Sequence, residues 1–199
     1  MSQMLPAPPS TAEPRWTEAD TATGADDVRR VLRRHASGVA VITAGASTPT
    51  GFCATSLATV SFDPAVVSFA INVRTASWDT IGTADPIIAH LLGERQEDLA
   101  QRFGRSGAAK FAPPTRWQRH DLGLPLLHGV LAWLVLTPIA RLPVENHVLV
   151  VCRVIQAAVD DLAGGPLIHH AGRYTSLVAG ELDKRSGRRS VGQNDGQHA

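Results

Sequence analysis

Residues 51–77, GFCATSLATVSFDPAVVSFAINVRTAS, constrain the fold more than any other part of the chain. From Phe52 to Val60, β-branched and apolar residues mix with Thr55, Ser56 and Thr59, Ser61-Phe62-Asp63-Pro64 supplies turn residues, and Val66 to Ile71 resumes the β pattern. Val, Phe and Thr suit a pleated, half-buried surface, whereas Asp-Pro favours a turn. The stretch reads as strand, turn, strand. Its small hydroxyl residues recur where one large ligand can reach them, so it is also a candidate binding site.

Similar runs recur along the chain. Strands are expected at about 39–44, 53–60, 65–71 and 87–92, two long ones at 126–139 and 148–159 joined through Pro143 and Glu145, and a last pair at 167–170 and 174–178. Helices are few. One starts near Asp26 and Asp27, whose carboxylates suit a helix N-terminus, carries Val28, Val31, Leu32 and His35 on one face, and is stopped by Gly38. A short helix is expected near 77–82 and another over 95–103, ended by Gly104. Many strands with few helices imply a mainly β fold, a closed or split antiparallel barrel. A chain of 199 residues fits one such domain over 26–181, between a mobile extension at 1–25 and a polar tail at 182–199.

Composition removes several function classes. Apolar residues at 44% and charged residues at 19% are ordinary for a soluble protein, and a net charge of +1 gives no reason to expect nucleic acid or an anionic membrane as partner. Arg29, Arg30, Arg33 and Arg34 read as the solvated face of the first helix. The two cysteines, Cys53 and Cys152, lie in apolar runs and are expected as buried free thiols in a reducing compartment. Pro6, Pro8, Pro9 and Pro14, with no basic start before an apolar run, argue against a secretory signal. The longest apolar stretch, 122–136, is broken by Gly123, Pro125, His128 and Gly129, short of the roughly 20 clean residues of a spanning helix. A cytoplasmic protein is expected. Adjacent His169 and His170 would point to opposite faces of a strand, and no Cys or carboxylate cluster completes a metal site. Neither a G-x-S-x-G elbow nor a G-x-G-x-x-G loop occurs.

Residues 51–65 follow the pattern G-x-T-A-x-S-x-x-S-V-S-x-D-P-P, with Cys53 for the usual Thr and Ala65 for the second Pro, and Asn72 to Ser77 follows N-x-x-S-x-S/T with Thr75 for the first Ser. Upstream stands Ala36-Ser37-Gly38-Val39 before VAVITA; downstream come Lys110-Phe111, GLPLLHGVLAWL and PLIHHAGRY. In this order and spacing the motifs resemble the flavin reductase-like, FMN-binding split-barrel family, over roughly residues 26–178. The resemblance implies a homodimeric NAD(P)H:flavin oxidoreductase whose flavin cleft is completed by the second subunit. Such a protein takes hydride from NADH or NADPH onto FMN or FAD and hands reduced flavin to a separate acceptor, commonly a flavin-dependent monooxygenase.

A flavin needs a flat apolar slot, hydrogen bonds to its pyrimidine edge and neutralisation of its phosphate. By resemblance the ring edge falls to Cys53, Ala54, Thr55 and Ser56, with Ser61 just beyond. Asn72, Arg74, Thr75 and Ser77 hold the phosphate, where backbone N–H groups, a guanidinium and hydroxyls converge as a strand hands over to a helix. Lys110 brings a second positive charge. Gly38, Val39, Trp78, Phe111 and Tyr174 are the remaining cofactor-binding positions that the resemblance implies. His169 and His170 take the place of aromatic residues, with packing as their role and His170 the one to face the pocket. The family's Gly-Asp-His reads Glu145-Asn146-His147, which makes His147 the catalytic candidate against the nicotinamide. Glu145 replaces a residue free to take φ > 0, and Asn146 removes a carboxylate. That departure bears on nicotinamide rather than flavin binding and keeps open a flavin-binding carrier or redox sensor without reductase activity. An oxidase of the related pyridoxamine-phosphate type is a further alternative, against which the 72–77 segment speaks.

Overall fold

A computed structural model of the chain describes residues 24–107, 109–160 and 164–177. In chain order these form α1 (Ala25–Leu32), β1 (Ser37–Gly38), β2 (Ala40–Ala44), β3 (Thr50–Ala54), β4 (Ala58–Phe62), β5 (Ala65–Asn72), α2 (Trp78–Ile81), β6 (Ile87–Leu91) and α3 (Glu97–Gly104). There follow β7 (Trp117–Arg119), β8 (Pro125–Leu127), β9 (Ala132–Val144), β10 (His147–Val159), β11 (Leu167–His170) and β12 (Arg173–Ser176). Seven strands make one antiparallel sheet in the order β3-β2-β6-β9-β10-β5-β4, while β1-β11-β12 and β7-β8 form two small sheets. The large sheet curls on itself. Phe52 of β3 meets Phe69 of β5 at 6.0 Å between ring centroids, although these strands stand five places apart in sheet order. This is a split barrel closed around Ile42, Phe69, Ile71, Leu136 and Val150.

Every residue of β2 is buried because both of its faces are covered. Ile42 and Ala44 point into the barrel, Val41 joins a second cluster with Ala100 and Phe103 of α3, and buried Thr43 Oγ1 donates to Pro125 O at 2.7 Å. The long hairpin β9–β10 forms the barrel's opposite wall. Beyond Leu136 strand β9 has lost its β6 partner, so Pro138 and Pro143, which lack an N–H, sit along an open edge.

Several expected boundaries move. The run 53–60 is two strands: β3 ends at Ala54 and β4 begins at Ala58, at opposite ends of the sheet order. The chain crosses between them at Thr55–Leu57, and β-branched residues serve a crossing as well as a strand. Ser56 secures it where β4 stops pairing with β5, its Oγ accepting from Ala70 N–H at 3.0 Å and donating to Ala70 O at 3.3 Å. The run 126–139 also divides, into β8 and the start of β9, and β9 continues through Pro143 to Val144. Helix α1 stops at Leu32 and leaves Gly38 in β1; its Val28, Val31 and Leu32 are exposed. Arg29 and Arg30 pair with Asp26 and Asp27 on its solvated face. The tail at 182–199 and most of the extension lie outside the described residues. Among those described, no helix is long and apolar enough to cross a membrane.

Candidate functional site

Strand register assembles the first part of the site. Directly opposed residues of antiparallel strands share a face, and Asn72, His147 and Val144 stand opposed across β5, β10 and β9. The next row on that outward face is Ala70, Leu149 and Leu142, and Ser56 is bonded to Ala70 at its edge. A small, flat apolar surface thus lies beside an imidazole and an amide. The alternate residues Ile71, Val148, Phe69 and Val150 fill the core and fix the register, since a one-residue slip would bury His147. His147 is exposed, and its Nδ1–H donates to Asn146 Oδ1 at 2.6 Å, which leaves Nε2 as the free nitrogen. Asn146 O in turn accepts from Val73 N–H at 3.0 Å, tying the β9–β10 turn to the segment after β5.

That segment is a tight turn. Asn72 Oδ1 accepts from Arg74 N–H at 2.9 Å, Thr75 Oγ1 donates to Asn72 O at 2.9 Å, and buried Ser77 Oγ donates to Gly51 O at 2.7 Å. The hydroxyl protons of Thr75 and Ser77 are therefore committed within the protein. Arg74 is exposed, so its guanidinium is the free cationic donor of the turn.

The second part is a cleft of ≈ 420 Å³ lined by Pro49, Thr50, Ala76, Ser77, Lys110 and Phe111, among others. Its anchor is the Gly51 carbonyl, which accepts from both Ser77 Oγ and Lys110 Nζ, the latter at 2.9 Å. That contact uses one of the three ammonium protons and leaves two for a ligand. Burial pushes the Lys110 ammonium below its ordinary range, with the neighbouring Cys53 pulling the other way. Burial pushes the Cys53 thiol up, opposed by a hydrogen bond with Tyr174 and by the Lys110 charge. Tyr174, also desolvated and next to Cys53, is pushed up to about 12, so the Cys53 thiol and the Tyr174 phenol keep their protons near neutrality.

The sequence-predicted residues divide by place. Ser56, Asn72 and His147 share the outward face; Arg74, Thr75 and Ser77 form the turn; Cys53, Lys110 and Tyr174 meet beside the cleft. Thr55 is exposed on the crossing, whereas Ala54 and Val39 are buried in the two core clusters. Gly38 lies in β1 against Ile168, and its neighbour Ser37 shares a row with His169 and Tyr174. Trp78 packs on the barrel core, and the Phe111 ring stands edge-on to Phe103 and Trp117, at 5.3 Å from each. Ser61 stands apart, opposite Val66 at the other end of β5, six residues and roughly 20 Å along the strand from Asn72. The inward histidine of the 169–170 pair is His169, 5.5 Å from the Tyr174 ring, while His170 is exposed. The residue missed is Gly51. A Cβ there would stand 2.7 Å from Ile42 O and 2.9 Å from the Phe103 ring, so only glycine lets this carbonyl reach both donors. The signal was the glycine opening the G-x-T-A-x-S pattern.

Residues 32–178 match the model of the flavin reductase like domain. The chain belongs to the flavin reductase-like family. It is 42% identical over 161 residues to an NADH:FMN oxidoreductase of Rhodococcus erythropolis, covering 79% of this chain and 84% of that protein. The reductase subunit HsaB of a Mycobacterium tuberculosis flavin-dependent monooxygenase is 30% identical over 151 residues, covering 75% and 80%. Among solved structures, a flavin reductase domain protein from Arthrobacter sp. FB24 superposes with a TM-score of 0.72 at 35% identity, over 77% of this chain and 95% of that one. For a member of the flavin reductase-like family the residues fit a flavin. Ala70, Leu149 and Leu142 offer a flat apolar surface, Arg74 and Lys110 keep charged donors free, and the cleft falls within the roughly 300–1,000 Å³ usual for such ligands.

Proposed function

We propose that this chain is an NAD(P)H:flavin oxidoreductase that reduces FMN or FAD with NADH or NADPH and supplies the reduced flavin to a partner monooxygenase. The observation that carries this reading is the row Asn72–His147 running beside an apolar face into the Arg74 turn and the Lys110 cleft. Bound flavin would supply the hydride-accepting chemistry. The protein's own part is to bind and orient: Arg74 and Lys110 hold the phosphate, Ser56 and the crossing segment border the ring, and His147, steadied through Nδ1 by Asn146, presents Nε2 to the nicotinamide. No protein nucleophile is required.

Nicotinamide oxidation followed by absorbance, with each flavin and each donor, tests the activity, and His147→Ala tests the assignment. The variant should keep its flavin affinity while kcat/KM for the reduced nicotinamide falls about tenfold or more. A folded, flavin-loaded variant with unchanged kinetics would return His147 to a structural role. Flavin binding without any nicotinamide oxidation by the wild type would instead support the carrier or sensor reading.

Homodimerisation is part of the same proposal. Phe62 is 88% exposed, and Val60, Ile139, Ile155 and Val159 are exposed apolar side chains on β4, β9 and β10, more than a solvent-facing sheet ordinarily carries. Sedimentation should give twice the chain mass, falling towards one copy in Phe62→Asp; a wild type that sediments as a single copy at micromolar concentration rules the dimer out.

A further inference from the structure

A second cleft, of ≈ 220 Å³, shares no lining residue with the first. Arg95, Arg102 and Arg116 reach it from three places: the turn before α3, the last turn of α3, and the segment before β7. Asp98 is the sole carboxylate of the lining, whose uncharged polar side chains are Gln96 and Thr115, with His128 beside them. Asp98 stands one helical turn before Arg102 but forms no ion pair with it; among the described residues the ion pairs are those of α1. Arg102 is half-buried, so part of the hydration of an unpaired guanidinium is lost with no compensating anion. Thr115 Oγ1, in the same wall, is buried and has no hydrogen-bond partner. A buried hydroxyl left unmatched costs free energy, and rotation of the side chain into the cleft lets a bound ligand accept its proton and removes that cost. The cleft floor is held in place by Gln96, whose Oε1 accepts from Gly93 N–H at 2.9 Å and whose Nε2 donates to His128 O at 3.3 Å.

We propose that this cleft is an oxyanion site that binds a phosphate group, held by the forked guanidiniums of Arg95, Arg102 and Arg116 and by the hydroxyl of Thr115. Planar guanidiniums match phosphate oxygens two at a time, and three of them against one carboxylate leave the lining net positive. The phosphate comes either as the free oxyanion or on a nucleotide. The site is separate from the residues assigned to the flavin phosphate, so it stands whether or not the reductase reading does.

Calorimetric titration of the full chain, saturated with FMN to occupy any flavin-phosphate site, is the test, with inorganic pyrophosphate and ADP as probes. Pyrophosphate should bind, and Arg116→Gln and Arg102→Gln should each weaken it about tenfold, as expected for loss of a charge-assisted hydrogen bond. Thr115→Val should weaken binding several-fold while raising the thermal midpoint of the ligand-free protein, because it removes an unsatisfied buried hydroxyl. ADP binding tighter than pyrophosphate identifies a nucleotide; weaker binding identifies the free oxyanion. Arg116 is exposed, so its variant keeps the fold and remains informative if Arg102→Gln does not. No binding of either probe at millimolar concentration, or binding unchanged in Arg116→Gln and lost in Arg74→Ala, overturns the proposal.

Discussion

Arg74 enters solvent from a turn whose other polar groups are already engaged. Its backbone N–H goes to Asn72 Oδ1, and the hydroxyls of Thr75 and Ser77 donate to Asn72 O and Gly51 O. In the proposed function, phosphate recognition by this turn then falls mainly on the guanidinium. Arg74→Ala should weaken FMN by roughly tenfold to a hundredfold, corresponding to about 1.5–3 kcal/mol, and leave riboflavin, which lacks the phosphate, almost unchanged. Equal losses for both ligands in a fluorescence-quenching titration would move Arg74 out of the phosphate site. The candidate residues themselves were legible as motifs: Cys53 to Ser56, Asn72 to Ser77, and Lys110-Phe111. Their hydrogen-bond roles were not. Whether a serine is a ligand or a brace depends on what lies opposite it, and Ser77 finds its acceptor at Gly51, 26 positions away, as Lys110 does at 59.

At the scale of elements, the β9–β10 hairpin carries the clearest consequence of the altered Gly-Asp-His. Val144 pairs with His147, so Glu145 and Asn146 make a two-residue loop, and Glu145 adopts φ 52°. A loop whose first residue needs positive φ ordinarily takes glycine there. A side chain in this region costs about 1–2 kcal/mol; glycine relieves that cost but loses roughly 0.5–1 kcal/mol through the greater freedom it gives the unfolded chain. Glu145→Gly should therefore stabilise the protein by somewhat under about 1 kcal/mol in a denaturant titration, without moving His147. A net loss of stability would mean that the Glu145 side chain makes a compensating contact. Element type was readable from composition, since Val, Ile, Thr and Phe mark the strands and few stretches keep helical spacing. Boundaries were readable only where a turn residue stood at the break. The split of 53–60 was invisible because Thr55 and Ser56 suit a strand as well as a crossing held by one hydroxyl, and the helical spacing of Val28, Val31 and Leu32 did not show that this face of α1 is exposed.

The order of the seven strands is a property of the whole molecule, because β2 pairs with β6 and β6 with β9 across stretches that no local pattern connects. His90 binds two of these strands, β2 and β6, to β8 of a separate small sheet. It is fully buried on β6; its Nδ1–H donates to Val41 O of β2 at 3.0 Å, and its Nε2 accepts from Leu127 N–H of β8 at 3.1 Å. The Nε2 acceptor contact needs the neutral ring, and burial holds the pKa down to about 4 from an ordinary 6.5, opposed only by the Val41 carbonyl. Between these values the unfolded chain binds a proton at this position that the folded chain does not, so stability rises with pH across that window. The contribution is complete above about pH 6.5 and is lost as pH falls towards 4, to the extent of about 3 kcal/mol. The wild type should thus lose stability steeply between pH 6.5 and 4 in denaturant titrations. His90→Gln, which retains an amide donor and acceptor but does not titrate, should be less stable than the wild type at pH 7 and close much of that gap by pH 4. A variant whose stability tracks the wild type in parallel over the whole range would show that the acid sensitivity of the fold arises elsewhere than at the junction of β2, β6 and β8.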